Sequence, residues 1–335
     1  MELNLATVWA GIIALGVFIY AVMDGFDLGI GLLFAFFPDQ HDRDVMVNTV
    51  APVWDGNETW LVMGGAALFA AFPVAYSTIL PALYLPLILM LTGLIFRGVA
   101  FEIRLKATRT RPLWDLAFMG GSAVATFFQG VALGTYLQGI PITNNQFAGG
   151  SFDWVSPFSI FTGMALMMTY SLLGCAWLLM KTDHKLQQRM FVLMKPLTLI
   201  LLLVIAIVSL WTPLADRAVY ARWFTLPNLF YFLPVPILVL ACVFGIWRAV
   251  DKGNDKLPFL LGLALMGLGY SGFIISIWPN VVPPSLTFEQ AAAPHSSMAF
   301  ALVGAVIIIP IILLYTGLGY WVFRGKVRHG DEGYH

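Results

Sequence analysis

Residues 8–37 read VWAGIIALGVFIYAVMDGFDLGIGLLFAFF, an unbroken apolar run interrupted only by Asp24 and Asp27. As a helix rising 1.5 Å per residue it would be about 45 Å long, more than a hydrocarbon core needs. It therefore tilts or projects into the cytoplasm. The rest of the chain is of the same kind: 59% of its 335 residues are hydrophobic and only 11% charged, with a mean hydropathy of +0.83. No soluble globular domain has this balance. Because the apolar runs are about 20 residues or longer, the spans are helices rather than the short alternating strands of a barrel. The fold class is an all-α integral membrane protein.

Apolar runs bounded by charge, Pro or Gly predict nine transmembrane helices, near 8–37, 53–76, 78–100, 113–138, 157–180, 191–213, 228–248, 257–278 and 297–323. Lys and Arg test that count, because cytoplasmic loops are enriched in them. With the N-terminus outside, the inner segments carry Arg43; Arg97, Arg104, Lys106, Arg109 and Arg111; Lys181, Lys185, Arg189 and Lys195; Arg248, Lys252 and Lys256; and Arg324, Lys326 and Arg328. Only Arg217 and Arg222 fall outside, so the expected topology is N-out/C-in. The expected organisation is a single transmembrane domain over 1–335. Helices 1–4 (about 8–138) and 5–8 (about 157–278) form two four-helix halves in the same orientation, and helix 9 (about 297–323) follows. The largest outer loops are 139–157 and 279–297. The N-terminus lacks the basic region and cleavage site of a signal peptide, so the first span is expected to be retained. Cys175 and Cys242 lie within spans and suggest neither a disulfide framework nor a zinc site.

Ionisable side chains inside the spans are where function is expected, since each costs roughly 2.5–3.5 kcal/mol near a helix centre. Asp24 and Asp27 share one face of the first helix, and Asp55 and Glu58 share one face of the second, in VWDGNETWLV (53–62). Helix 1 runs inward and helix 2 returns, so the four acids form a ladder from the cytoplasmic side to mid-depth. Carboxylates so placed can hold and release protons, and a cytoplasmic proton path is the functional reading. The plainer reading is that Asp55 and Glu58 favour the positive N-terminal end of helix 2, with Asn57 in a hydrogen-bond network. A di-metal carboxylate site is excluded, because it would use Glu-x-x-His and neither helix has a histidine. All five histidines, His41, His184, His295, His329 and His335, fall in loops or the tail. No span offers the usual axial haem ligand, so no haem or metal is expected wholly inside this chain.

Arg97 and Glu102, Asp115, Ser122 and Gln129 are further polar residues in or near spans, and Arg97 is placed to snorkel or to pair with an acid. Trp54 and Trp60 flank the acids in an interfacial or packing role. Gly120, Gly121, Gly130 and Gly134 mark close helix packing. No P-loop, dinucleotide fingerprint or zinc motif occurs in a supporting context.

Four stretches together, DGFDLGIG (24–31), APVWDGNETWLV (51–62), FRGVAFEIR (96–104) and GSAVATFFQGVALG (121–134), resemble subunit II of the cytochrome bd family of bacterial quinol oxidases, including its cyanide-insensitive branch. The motifs cover roughly the first half of the chain, and the second half agrees in length, helix count and polarity. The resemblance implies nine helices arranged as two four-helix bundles plus a peripheral helix. It implies a haem-free partner in a heterodimer with subunit I, which carries two b-type haems, a third haem of d or b type, and the quinol-oxidising loop. Members of the family can also include a small single-helix subunit and a structural quinone. The expected setting is the bacterial cytoplasmic membrane, with quinol as the substrate of the complex and no role for nucleic acid. The family's proton path enters through acidic residues of subunit II; its motifs match Asp27 and Asp55 first, then Asp24 and Glu58. Oxygen reduction would draw those protons from the cytoplasm and build a proton-motive force. A proton- or cation-coupled secondary transporter and a purely structural membrane partner are the alternatives, and the confinement of the acidic motifs to the first half weighs against the transporter.

Overall fold

The computed structural model describes residues 4–215 and 217–328. Their helices are α1 (Leu5–Leu33), α2 (Gln40–Asn48), α3 (Trp54–Ala71), α4 (Pro73–Lys106), α5 (Arg111–Gln138), α6 (Pro157–Lys181), α7 (His184–Ala215), α8 (Arg217–Phe224), α9 (Asn228–Phe232), α10 (Pro234–Asp251), α11 (Leu257–Ile277), α12 (Phe288–Ala291) and α13 (His295–Val322). Two short antiparallel hairpins, Ile142–Thr143 with Gln146–Phe147 and Asn280–Val282 with Leu286–Thr287, sit in the loops 139–157 and 279–297.

Among the described residues eight helices are long and apolar enough to cross a membrane. They account for eight of the nine spans expected from sequence. The other, expected at 53–76, is occupied by α3, whose polar first turns dilute its apolar content. Its boundary with the next helix also differs from expectation: the break falls at Phe72 (φ −133°, ψ 65°) rather than near residue 77. Pro73 explains the position, because the residue before a proline is driven out of the helical region while Pro itself starts a helix well. The first span ends earlier than residue 37, in a 3-10 turn at Phe34–Phe36. The amphipathic helix α2, capped by Asp39 Oδ1 accepting from the His41 amide at 2.9 Å, was not foreseen in the sequence.

α1 is the central element, packed against α3, α5 and α6. α4 pairs with α5, α6 with α7 and α11, and α10 with both α7 and α11. Glycine sets the closest crossings. A Cβ on Gly29 of α1 would overlap the Tyr170 carbonyl oxygen of α6, and one on Gly174 would come within 2.6 Å of the Gly29 carbonyl carbon. Here the two backbones touch, which only glycine permits. Gly93 and Gly121 bring α4 and α5 together in the same way. Of the glycines expected at packing contacts, Gly121, Gly130 and Gly134 serve that purpose, whereas Gly120 faces nothing within 4 Å.

Polar side chains lock one end of this frame. Asp115 accepts from Arg104 Nε, from Arg43 Nη1 at 2.9 Å and from Gln40 Nε2 at 2.6 Å, while Asp44 pairs with Arg104 and Arg111. That cluster ties α2 to the end of α4 and the start of α5. Residues 323–328 form a strap nearby in sequence to the end of α13: the Val327 amide donates to the Lys181 carbonyl at 2.8 Å, Lys326 pairs with Asp255 at 2.7 Å, and Arg328 with Asp183 at 2.9 Å.

Two outcomes are expected. Gly174→Leu would force α1 and α6 apart and cost about 1–3 kcal/mol or more, read as loss of monodisperse protein in detergent. The hydrogen bond and charge of Lys326 hold the Asp255 carboxyl below its usual range. A carboxyl lowered in the folded state contributes stability that is present above its unfolded value, about 3.9, and is lost as pH falls through the lowered value. The protection of the Val327 amide, its exchange relative to an unstructured amide at the same pH, should therefore fall in the wild type only at strongly acid pH, but should already be low at neutral pH in Lys326→Gln.

Candidate functional site

One acid from each motif converges on a single arginine. Arg97, on α4, is wholly buried, and its Nη1 donates to Asp24 Oδ1 at 2.6 Å while Nη2 donates to Glu58 Oε1 at 3.0 Å. Gly93 and Gly121 make this reach feasible, since a Cβ on Gly121 would lie 2.9 Å from the Arg97 backbone nitrogen. With the α4 backbone pressed on α5, the long side chain extends to α1 and α3. The guanidinium carbon also stands 5.9 Å from the centroid of the Phe101 ring, which stacks on Trp54 at 4.9 Å. Thus Trp54 packs against the arginine's shelf.

Asp27, one turn beyond Asp24, is completely buried and lies outside Arg97's hydrogen bonds. Its Oδ2 accepts from Asn57 Nδ2 at 2.8 Å, and the same amide group lies 3.4 Å from the Met23 carbonyl. Asn57 Oδ1 accepts in turn from the Tyr320 hydroxyl of α13 at 2.8 Å. Buried polar atoms without a protein hydrogen-bond partner gather here as well: Asp24 Oδ2, Asp27 Oδ1, Arg97 Nε and the Tyr20 hydroxyl. The site holds three carboxylates against one guanidinium, a formal excess of two negative charges in a largely dry interior.

Asp55 does not join this cluster. It occupies the exposed side of the first turn of α3, one turn before Glu58, and Glu58 keeps about a quarter of its side chain exposed. The four acids thus form a graded set: Asp55 at the surface, Glu58 part-buried, Asp24 and Asp27 inside. Glu102 is exposed and stands apart. Gln129, on α5, is partly buried, with its Oε1 unpartnered. Arg97, by contrast, is the hub rather than a snorkelling cation. Tyr320 had no signal in the sequence beyond being an aromatic near the end of a span, where an interfacial anchor is the ordinary reading.

The described histidines lie away from the interiors of the spans. His41 lies in the short helix α2, and His184 and His295 are the first residues of α7 and α13, so none of them stands along the interior of a span. His329 and His335 fall outside the described residues. Among the described residues no group of three or more His, Cys, Asp or Glu could hold a metal ion.

Comparison with known proteins gives this arrangement a family. A family profile described as cytochrome bd terminal oxidase subunit II matches residues 5–323. The chain is 30% identical to the protein described as cytochrome bd-I ubiquinol oxidase subunit 2 of Escherichia coli K12, covering 96% of this chain and 94% of that one. It is 29% identical to cytochrome bd ubiquinol oxidase subunit 2 of Bacillus subtilis, over 98% of both chains. Its fold is similar to a chain of the bd oxidase structure from Geobacillus thermodenitrificans, with a TM-score of 0.76 at 16% identity, covering 94% of this chain and 98% of the other. This protein therefore belongs to the cytochrome bd terminal oxidase subunit II family.

Proposed function

We propose that this chain is the haem-free subunit II of a quinol oxidase in a bacterial cytoplasmic membrane, that it supports a haem-bearing subunit I, and that it conducts protons toward the site of oxygen reduction. In this reading α3 also crosses, giving nine spans in one transmembrane domain, N-out and C-in. α1, α3, α4 and α5 make one half, α6, α7, α10 and α11 the other, and α13 is the peripheral helix. The haems supply electron transfer and oxygen chemistry from subunit I, and this chain's residues handle protons. Uptake from the cytoplasm for water formation would contribute to the proton-motive force.

The observation that carries the reading is the graded burial of Asp55, Glu58 and Asp27, from the exposed first turn of α3 to the interior of α1. Asp55 on the exposed first turn of α3 is suited to take a proton from the aqueous side or from subunit I. Glu58 lies one turn further in, tethered to Arg97. Asp27 is held by an amide instead of a cation, so it can change charge without breaking an ion pair. Asp24 is bound to Arg97 at 2.6 Å and favours a different role. There the structural reading is the better one: Asp24 and Arg97 hold α1 to α4, and the pair fixes the cluster's field.

Three results are expected. A reduced-minus-oxidised spectrum should show haem bands for the copurified complex and none for this chain alone; bands from the isolated chain would overturn the haem-free assignment. In a complex with full haem content, Asp27→Asn should lower oxygen consumption about a hundredfold, the scale of a lost proton-transfer group, and Asp55→Asn should also lower it. Undiminished turnover in both variants would leave the acids a structural role only. Arg97→Leu leaves buried carboxylates uncompensated, a loss of about 3–5 kcal/mol, and should abolish assembly instead of slowing turnover.

A further inference from the structure

α13 is only lightly held by the remainder of the chain: of its 28 residues only Met298 is buried. Its hydrogen bonds to other elements sit near its ends. Trp9 Nε1 donates to the Met298 carbonyl at 3.1 Å at one end, and Tyr320 reaches Asn57 at the other. The Tyr320 ring stands edge-on to Phe26 and Trp177, with centroids 6.4 and 5.9 Å away. Those contacts aim its hydroxyl into the acid cluster.

An amide side chain has one acceptor and one donor end. A phenol donating to Asn57 Oδ1 leaves Nδ2 to face Asp27, and among the described residues this N–H is the only hydrogen-bond donor to the Asp27 carboxyl. With the amide reversed, its oxygen would confront an acceptor-only carboxylate. The hydroxyl, however, can donate or accept. When Asp27 carries a proton, its O–H can donate to a reversed Asn57 amide, whose Nδ2 then donates to the phenol oxygen. The Tyr320–Asn57–Asp27 chain is therefore satisfied in both charge states of the carboxyl, and removing the hydroxyl leaves one end of the amide unpartnered in each.

We infer that Tyr320 is a positioning residue for proton transfer at Asp27, orienting the Asn57 amide in both forms of the carboxyl and linking the peripheral helix to the acid cluster. The inference rests on Asp27 being a proton carrier. Besides the Tyr320 phenol on α13, the ionisable groups facing Asp27 include Asp24 on its own helix, Glu58 on α3 and Arg97 on α4, and none of these three touches Tyr320 by a hydrogen bond.

The test uses the whole haem-containing complex. Tyr320→Phe keeps the ring against Phe26 and Trp177 and removes only the hydroxyl. Haem content should be unchanged, turnover should fall about fivefold, the scale of one hydrogen bond, and the pH profile of turnover should be displaced from wild type. Asn57→Ala should do the same, and in that background Tyr320→Phe should add nothing further. A wild-type pH profile in fully haem-loaded Tyr320→Phe, or independent additive effects of the two substitutions, overturns the inference. If Tyr320→Phe fails to assemble, an assembled Asn57→Ala complex with a wild-type pH profile overturns it equally. Asp27→Asn separates the two levels. Full turnover there removes the proton-carrier reading itself, whereas impaired Asp27→Asn beside an unaffected Tyr320→Phe removes only the role of Tyr320.

Discussion

A single guanidinium with no exposed surface holds the first half of this protein together. Arg97 joins α4 to α1 through Asp24 and to α3 through Glu58, and it offsets the charge of both acids. The pairing is demanding because ions taken out of water need near-ideal geometry and further hydrogen bonds to offset their desolvation. Both Arg97 contacts meet the first requirement. The backbone contacts at Gly93 and Gly121 are the price of the reach, since a side chain larger than hydrogen at either would push α4 off α5 and withdraw the guanidinium.

Around that constraint the molecule separates rigidity from exposure. The Gly29–Gly174 crossing and the ionic cluster about Asp115 fix α1, α2, α4, α5 and α6 relative to one another. α3 has less around it: its first turn is exposed at Asp55, and its inner face is pinned by Asn57, Glu58 and Trp60. The result is a buried acid cluster that opens toward the surface on one side. Such an opening is what the proposed proton path would need, since a path must connect a dry interior to water without passing a bare charge through hydrocarbon.

How far the site was legible follows from the cost of each residue. Asp24, Asp27, Asp55 and Glu58 stood out because a carboxylate in an apolar run is expensive wherever its helix packs, so their depth and spacing carried information without any structure. Asn57 was recognisable as a network member for a similar reason. Arg97 was noticed, but its reading was open, because an arginine near a helix end can snorkel to the surface or turn inward at comparable cost until its neighbours are known. Tyr320 was invisible, as a tyrosine near a span's end is ordinary and only the path of α13 brings it beside residue 57, far away in the chain.

The sequence by itself determined that the chain is a helical membrane protein, roughly where its spans lie, and which carboxylates fall within apolar runs, because hydrophobic length and the cost of buried charge are local properties. It also carried the family resemblance in its motifs. Tertiary structure alone decided that Asp24 and Glu58 share Arg97 while Asp27 is left to an amide, that Asp55 faces outward, and that the last helix returns to touch the first site. Those outcomes depend on which helix faces meet, and spans that are apolar nearly all round leave that choice to backbone contacts between glycines far apart in sequence.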